Sequence, residues 1–226
     1  MSGAAFILII TLCIAGLFGV AFALIALYDR RYVAARWFAA AYAVGMLYAV
    51  LEFLLPYFAD IRTGVFLGHG AFLVTLTLLN VGLARHYRVE LPITLMTAAF
   101  ALSLVASALL QDMPRASFLR MFLYQAPYVA MQAIGAMIVL RALGRGPVDN
   151  LLAAIMGVSA LHYLSKPFVA LSVGGAGSSP GDYLGTTYAM ISQSMGTILV
   201  VAIGLLLLAV LASDILRDIT LRSETD

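Results

Sequence analysis

Seven apolar runs follow one another along the chain, separated by short charged or Gly/Pro-rich segments. An α-helix rises about 1.5 Å per residue, so roughly 20 apolar residues cross the hydrocarbon core of a bilayer. Every run reaches that length, and 63% of the residues are hydrophobic while only 11% are charged. This pattern predicts an all-α membrane protein, a bundle of seven transmembrane helices. The runs cover residues 4–28, 34–58, 64–85, 92–111, 117–141, 150–173 and 184–212.

The arginines predict how these helices are oriented. Nine of them adjoin one side of the predicted membrane and three adjoin the other side. Because Lys and Arg collect in cytoplasmic loops, we expect the N-terminus outside and the C-terminus in the cytoplasm. The nine are Arg30, Arg31, Arg36, Arg85, Arg88, Arg141, Arg145, Arg217 and Arg222, and the three are Arg62, Arg115 and Arg120.

Composition also argues against several kinds of partner and site. The basic residues stand singly between apolar runs and form no patch, which argues against nucleic-acid binding and leaves the lipid bilayer as the expected surrounding. Cys13 is the single cysteine, so we expect neither an internal disulfide nor a multi-cysteine metal site. No basic segment precedes the first run, which predicts a retained span rather than a cleaved signal peptide.

Lys166 lies inside the sixth run, in the segment LHYLSKPF. An unpaired charge at the bilayer centre costs about 2.5–3.5 kcal/mol on insertion scales, so such residues usually face a bundle interior or a wet cavity. His162 lies one helical turn before it on the same face. Pro167 cannot donate to the carbonyl oxygen of Tyr163, which leaves that oxygen free for another partner. We interpret this stretch as half of a polar site.

Other runs supply polar side chains that could complete this site. Residues 125, 128 and 132 of the fifth run fall on one helical face, at i, i+3 and i+7. The loop at residues 174–182, GGAGSSPGD, is flexible by composition and could act as a lid. Asn80 is expected to bond across a helix interface instead. The predicted ligand-binding residues are Glu52, His69, Gln125, Tyr128, His162, Lys166 and Gln193.

Counting residues from the ends of the predicted spans places these side chains at similar depths in the membrane. At about 1.5 Å per residue, Glu52, His69 and Lys166 each lie roughly 22 Å above the cytoplasmic boundary, and Gln125 lies near that level. His162 and Gln193 fall about 6 Å lower by the same count. Two interpretations follow: an outward-facing pocket that binds a small-molecule ligand, or a structural ion pair in which Glu52 and Lys166 lock two helices together.

Two cofactor hypotheses use the same residues. In the first, His69 and His162 are the axial ligands of a haem in a redox-sensing membrane protein. In the second, Lys166 forms a Schiff base with retinal. The microbial rhodopsin family has its lysine in the last helix, whereas Lys166 is in the sixth of seven, so the sequence departs from that family's pattern. We expect no catalytic nucleophile–base set, and therefore no enzyme activity from these residues.

The last run continues into an amphipathic segment. Its apolar residues are spaced 3, 4, 3 and 4, which is typical of the seam of a parallel coiled coil and predicts a homodimer through the seventh helix. We therefore divide the chain into a transmembrane domain, 1–212, and a cytoplasmic signalling helix, 213–226. The seam residues are Leu205, Leu208, Ala212, Ile215 and Ile219, followed by Arg222, with Asp214, Arg217 and Asp218 on the flanks.

The ending DILRDITLRSETD resembles the linker that leads into the GGDEF domain of membrane-bound bacterial diguanylate cyclases, where a Thr-Asp pair, here Thr225 and Asp226, is common. HYLSKPF followed by YAMISQSMG in the final span is similar to the last two helices of the seven-span sensor regions of those proteins. The resemblance implies a sensor module in a bacterial inner membrane that regulates cyclic-di-GMP synthesis by a catalytic domain beyond this chain.

Overall fold

A computed structural model describes residues 2–223 of the chain, apart from the side chains of Asp218, Leu221 and Arg222. Seven helices account for most of this part, and all seven are long and apolar enough to cross a membrane. The predicted all-helical architecture with seven potential spans is confirmed. The helices are α1 (Gly3–Tyr28), α2 (Val33–Leu54), α3 (Ile61–Tyr87), α4 (Ile93–Leu110), α5 (Phe118–Arg141), α6 (Pro147–Ser172) and α7 (Thr187–Ser223).

The helix ends follow from local capping chemistry. The Ser2 hydroxyl accepts a hydrogen bond from the Ala5 amide at the start of α1, and the Asp60 carboxylate accepts from two amides at the start of α3. These side chains satisfy backbone donors that have no partner within the helix. Short 3₁₀ helices, Leu55–Tyr57 and Pro180–Gly185, lie before α3 and α7.

Six of the seven helices form a closed ring. The ring order is α1, α2, α3, α5, α6 and α7, with α7 packed back against α1. Helix α4 lies outside the ring, against α3 and α5. This arrangement explains why α4 is apolar apart from small hydroxyls: it faces lipid on one side and two helices on the other.

The bundle has two ends that differ in their connections. We call the end formed by the α2–α3, α4–α5 and α6–α7 connections the lid end, and the opposite end, from which α7 continues, the tail end. At the lid end, Arg62 forms an ion pair of 2.9 Å with Asp112, which joins the first two connections. At the tail end, the Tyr87 hydroxyl donates to the Asp149 carboxylate at 2.7 Å, which joins α3 to α6.

Close packing of α1, α2 and α7 seals the ring toward the tail end. The buried rings of Phe22 and Phe38 lie 5.5 Å apart, and the Tyr42 hydroxyl donates to the carbonyl oxygen of Val200 at 3.1 Å. Gly204 allows this approach, since a Cβ there would lie 2.6 Å from the Tyr42 hydroxyl oxygen. The Tyr42 hydrogen bond and the absence of a side chain at Gly204 thus let α7 pack closely against α1 and α2.

Candidate functional site

A cavity of about 250 Å³ lies inside the ring, and we call it the axial cavity. All six ring helices line it, from Leu8 and Ala15 of α1 to Val200 and Ile203 of α7, whereas α4 contributes no residue. The 3₁₀ helix Pro180–Gly185 and the α4–α5 connection close it at the lid end. The lid-end connections therefore cover one end of the site.

Five of the seven predicted ligand-binding residues line the axial cavity, and two do not. The five come from four different helices, which shows that the helices bring distant polar positions to one space. They are Glu52, Gln125, Tyr128, Lys166 and Gln193, whereas His69 and His162 lie elsewhere.

Glu52 and Lys166 both line the cavity without forming an ion pair. The Lys166 nitrogen and the Glu52 carboxylate oxygens are more than 4.0 Å apart, which is too far for an ion pair. The Lys166 ammonium lies 4.6 Å from the centre of the Tyr163 ring, a cation–π contact. The Glu52 carboxylate lies beside Gly68, where an added Cβ would be 3.7 Å from its Oε1. The two charges thus share a cavity, which differs from the direct structural pair that was one interpretation of the sequence.

Further charged and aromatic side chains line the cavity that the sequence alone did not single out. Arg115 and Arg120 come from the lid end, and neither takes part in an ion pair among residues 2–223. Tyr128, a predicted ligand-binding residue, is one of seven tyrosines on the walls. The six others are Tyr42, Tyr48, Tyr124, Tyr163, Tyr183 and Tyr188. Their signal in the sequence was weak, because tyrosine is also common at membrane interfaces.

Two amide side chains keep an unused acceptor at this site. The Oε1 atoms of Gln125 and Gln132 are buried and have no hydrogen-bond partner. An unsatisfied buried acceptor lowers stability, so such an atom favours a donor that the protein itself does not supply. Both residues line the cavity on the α5 face, as their spacing predicted.

His69 is a structural residue within the helix interface. Its Nε2 lies 2.7 Å from the Ser103 hydroxyl of α4, and its Nδ1 lies 2.5 Å from the Tyr128 hydroxyl of α5. Only 1% of its surface is exposed. His69 therefore connects α3 to α4 and α5, and it supports the cavity by orienting Tyr128. The Ser103 hydroxyl thus bonds across helices rather than to its own backbone.

Asn80 follows the expected pattern of an interface residue. Its Nδ2 donates to the carbonyl oxygen of Met131 in α5 at 2.9 Å, and the side chain is buried. The prediction of a bond across a helix interface is confirmed.

His162 faces a second space, between α6 and α7, of about 320 Å³. Its Nε2 is buried and has no partner. The haem hypothesis requires free nitrogens on two imidazoles that face one space. Both nitrogens of His69 are already engaged, so the geometry does not favour it. Among residues 2–223, no cluster of three His, Cys, Asp or Glu side chains could hold a metal ion.

The loop after α6 closes the axial cavity through Arg115. The Arg115 guanidinium donates to the carbonyl oxygens of Ala176 and Gly177, at 3.0 and 3.3 Å. Burial lowers the pKa of this guanidinium from its ordinary value, although it stays charged. Gly177 has a φ of +85°, a backbone conformation that favours glycine. The predicted lid therefore has a specific latch on the α4–α5 connection.

Asp182 organises the same loop. Its carboxylate accepts from the Ser178 hydroxyl at 2.7 Å and from the Ser179 amide at 2.9 Å. These hydrogen bonds, the one from the Ser178 side chain first, hold the pKa of Asp182 below its ordinary value. The loop is thus built from local bonds, with Arg115 as its tie to the rest of the bundle.

Helix α7 presents an apolar stripe whose members differ partly from the predicted seam. Leu208 packs against the core and Ile215 is half-buried. The exposed apolar residues are spaced 4, 3, 4 and 3. This spacing keeps the coiled-coil period but places the apolar stripe on a different face of α7. These residues are Leu205, Ala209, Ala212, Leu216 and Ile219. The side chains of Asp218 and Arg222, and the Thr225–Asp226 pair, lie outside the described residues.

At the tail end, α7 also contacts α3. The Nδ1 atom of His86 lies 3.7 Å from an oxygen of the Asp214 carboxylate. The His86 side chain is largely buried at this contact. The C-terminal part of α7 therefore contacts α3, the helix that also carries His69.

Comparison with protein families, with curated proteins and with solved structures finds no match to this chain. The resemblance to the sensor regions of diguanylate cyclases therefore stays a prediction from the sequence.

Proposed function

We propose that the chain is a transmembrane receptor module that binds a small charged organic molecule in the axial cavity. One observation carries the proposal: Glu52, Arg115, Arg120 and Lys166 line a single cavity, and no ion pair among the described residues involves any of them. Charges held together in a membrane protein without ion partners mark substrate or ligand paths more often than structural contacts.

The balance of charge supports a ligand that carries an anionic group. Three cationic side chains and one carboxylate line the cavity, so an anion gains more attraction than a cation. The free amide oxygens of Gln125 and Gln132 add acceptors for a donor group on the same ligand. The tyrosine rings supply apolar contact area together with hydroxyl groups.

Orientation and output belong to the same proposal. The lid end faces outside and the tail end faces the cytoplasm of a bacterium, which the excess of arginines near the tail-end connections supports. Ligand binding shifts the equilibrium between two bundle arrangements by its differential affinity for them. Helix α7 conveys the shift to a diguanylate cyclase, and two copies pair through the exposed stripe of α7.

A pair of glycine variants tests ligand binding. A side chain at Gly196 of α7 would enter the axial cavity, and a Cβ there meets no atom within 4 Å. Gly157 of α6 has the same free space but lines neither cavity. Gly196→Leu should fill the cavity, whereas Gly157→Leu serves as the matched control.

The measurement is thermal unfolding in lipid nanodiscs with a panel of small organic anions and zwitterions. A ligand at 100 times its Kd stabilises the folded state by about 2.7 kcal/mol. We expect at least one compound to raise the unfolding midpoint of the wild type and of Gly157→Leu but not of Gly196→Leu. If no compound distinguishes the two variants, the receptor proposal fails.

The proposed output domain is tested by the gene sequence and by cellular cyclic-di-GMP. The codons that follow Asp226 in the natural gene should encode a GGDEF domain, and Lys166→Met should abolish the response of cellular cyclic-di-GMP to the ligand. A different output domain, or a stop codon, would contradict this part of the proposal without affecting ligand binding.

A further inference from the structure

The second cavity, between α6 and α7, opens through the side of the bundle, and we call it the lateral groove. Val158 and Leu161 of α6 and Met195 of α7 line it, and they are 46, 63 and 41% exposed. Exposed apolar side chains on membrane helices contact acyl chains, because no water is present at that depth. The groove therefore opens toward lipid.

The lateral groove and the axial cavity share three lining residues. Lys166, Tyr188 and Ser192 line both spaces. Tyr188 and Ser192 are buried, at 6 and 4% exposure, so they lie inside the bundle where the two spaces adjoin. A ligand can thus place one part in each space and pass beside Lys166.

The contact between α6 and α7 is suited to opening. Across residues 2–223, no side-chain hydrogen bond or ion pair joins α6 to α7, in contrast to the bonds that tie α3 to α4, α5 and α6. Widening the groove would break apolar contacts alone, and an aliphatic chain can replace these. The ring can therefore open between α6 and α7 without the loss of a side-chain hydrogen bond or ion pair.

The chemistry of the two spaces differs. The lateral groove has mainly aliphatic walls, and the buried Nε2 atom of His162 lacks a partner. Its volume of about 320 Å³ is at the lower end of the roughly 300–1,000 Å³ of drug-sized ligand pockets, which suits one aliphatic chain rather than two. Besides Lys166, the axial cavity has two further cationic side chains, Arg115 and Arg120, and one carboxylate, Glu52.

We propose that the receptor takes a single-chain amphiphilic carboxylate from the bilayer. The carboxylate lies in the axial cavity and accepts hydrogen bonds from Lys166, while the aliphatic chain occupies the lateral groove between α6 and α7. This inference rests on the proposed receptor function, and it names the class of ligand and the path by which the ligand enters.

The probe is sodium decanoate, compared with decanol and sodium acetate, on the full chain in lipid nanodiscs. Thermal unfolding is measured for the wild type, Ile191→Trp and Ile198→Trp. Ile191 lines the groove, whereas Ile198 lies two turns further along α7, is 59% exposed and lines neither cavity. We expect decanoate to stabilise the wild type and Ile198→Trp, with at least tenfold weaker apparent affinity for Ile191→Trp and for Lys166→Met.

Each other outcome overturns the inference. Equal stabilisation by decanol would mean that acyl chains occupy the groove as ordinary surrounding lipid. Stabilisation by acetate as strong as by decanoate, unchanged in Ile191→Trp, would mean an anion site without a chain site, and the receptor function would stand. A compound that passes the Gly196 and Gly157 test while decanoate fails would separate the two proposals in the same way.

A second measurement covers the case in which Ile191→Trp does not fold. Decanoate with a diazirine at its chain end is photolysed with the wild-type protein, and the labelled peptides are identified by mass spectrometry. We expect labels within residues 158–169 and 188–195. Labels spread evenly over all lipid-facing helices would contradict the groove.

Discussion

The guanidinium of Arg115 donates a hydrogen bond of 3.0 Å to the carbonyl oxygen of Ala176, which ties the α4–α5 connection to the loop after α6. Arg115 also lines the axial cavity. One side chain therefore contacts both the lid and the space in which the proposed ligand binds. A ligand anion that attracts Arg115 would compete with these carbonyl oxygens, so the lid and the ligand are coupled.

Arg115→Gln should loosen the lid. Hydrogen bonds from charged donors contribute about 1.5–3 kcal/mol each, and a loss of about 1.4 kcal/mol already shifts an equilibrium tenfold. We expect a thiol reagent to label Ala176→Cys at least ten times faster when Arg115 is replaced, in a Cys13→Ala background. Arg62→Gln is the control, since Arg62 pairs with Asp112 at the same end but both side chains are mostly exposed. Equal labelling rates in both variants would rule out the latch.

The loop should also lose order at low pH through Asp182. The pKa of Asp182 is lowered in the folded loop, so its carboxylate stabilises the loop. This stabilisation is fully present above the ordinary aspartate pKa of about 3.9, and it is lost as the pH falls through the lower pKa of the folded loop. Hydrogen-exchange protection of residues 178–183, corrected for intrinsic rates, should fall below about pH 4 in the wild type. It should be low and independent of pH in Asp182→Asn. Protection that persists in Asp182→Asn would assign loop order to other contacts.

The sequence predicted the helices well because their signal is one-dimensional. A run of roughly 20 apolar residues must become a helix in lipid, since each backbone donor and acceptor needs a partner within its own segment. Neighbour order carries no such signal, so nothing in the sequence placed α4 outside the ring. The site at Arg115 was missed for a related reason: a loop arginine counts toward topology whatever it contacts in the folded chain.

Rotation about the helix axis explains the remaining differences in the site. Glu52 and His69 were assigned to one level by counting residues, and both lie in the predicted helices. Glu52 faces the axial cavity, whereas His69 faces α4 and α5. In lipid an apolar side chain is accepted on any face, so the hydrophobic pattern fixes depth better than it fixes direction. The three aligned positions of α5 line the cavity together because their spacing itself defines a face.

Gly204 should be intolerant of even one added carbon. Its Cβ would lie 2.6 Å from the Tyr42 hydroxyl oxygen and 2.7 Å from the Phe18 ring, and all three groups are buried. Overpacking of this kind costs about 1–3 kcal/mol. Gly204→Ala should lower the unfolding midpoint in detergent. Gly157→Ala, with free space around the new Cβ, should leave it unchanged or raise it, because alanine favours a helix by up to about 1 kcal/mol over glycine. Equal midpoints would contradict the tight contact of α7 with α1 and α2.

Glu52 and Lys166 should depend on each other through the shared cavity. Removing one charge leaves the other without its counter-charge, so Glu52→Gln and Lys166→Met together should destabilise less than the sum of their separate effects. Because the two groups are not in direct contact, we expect a coupling toward the lower end of the roughly 0.5–3 kcal/mol seen for interacting residues. Thermal unfolding of both single variants and the double variant measures it. Lys166→Met combined with Arg62→Gln is the control and should be additive; additivity in both pairs would mean that the charges act independently.

Disulfide crosslinking along α7 tests the proposed homodimer. Ala212 and Ile219 lie on the exposed stripe, whereas Leu208 on the same helix packs against the core of its own chain. In a parallel dimer, equivalent stripe positions meet across the two-fold axis, so one cysteine per chain is enough to form a bond. In a Cys13→Ala background, Ala212→Cys and Ile219→Cys should crosslink in membranes far more than Leu208→Cys.

The same experiment distinguishes the exposed stripe from the seam predicted by the sequence, because Leu208 belongs only to the seam and Leu216 only to the stripe. Leu216 is 65% exposed, and it follows Ala212 by four residues and precedes Ile219 by three. Leu216→Cys should therefore crosslink as Ala212→Cys does. Efficient crosslinking of Leu208→Cys with none at Leu216→Cys would require α7 to rotate out of its packing on the ring. Crosslinking at the exposed Asp214→Cys equal to that at Ala212→Cys would mean random collision of the helices, and with it the proposed route from the axial cavity to a dimeric output would fail.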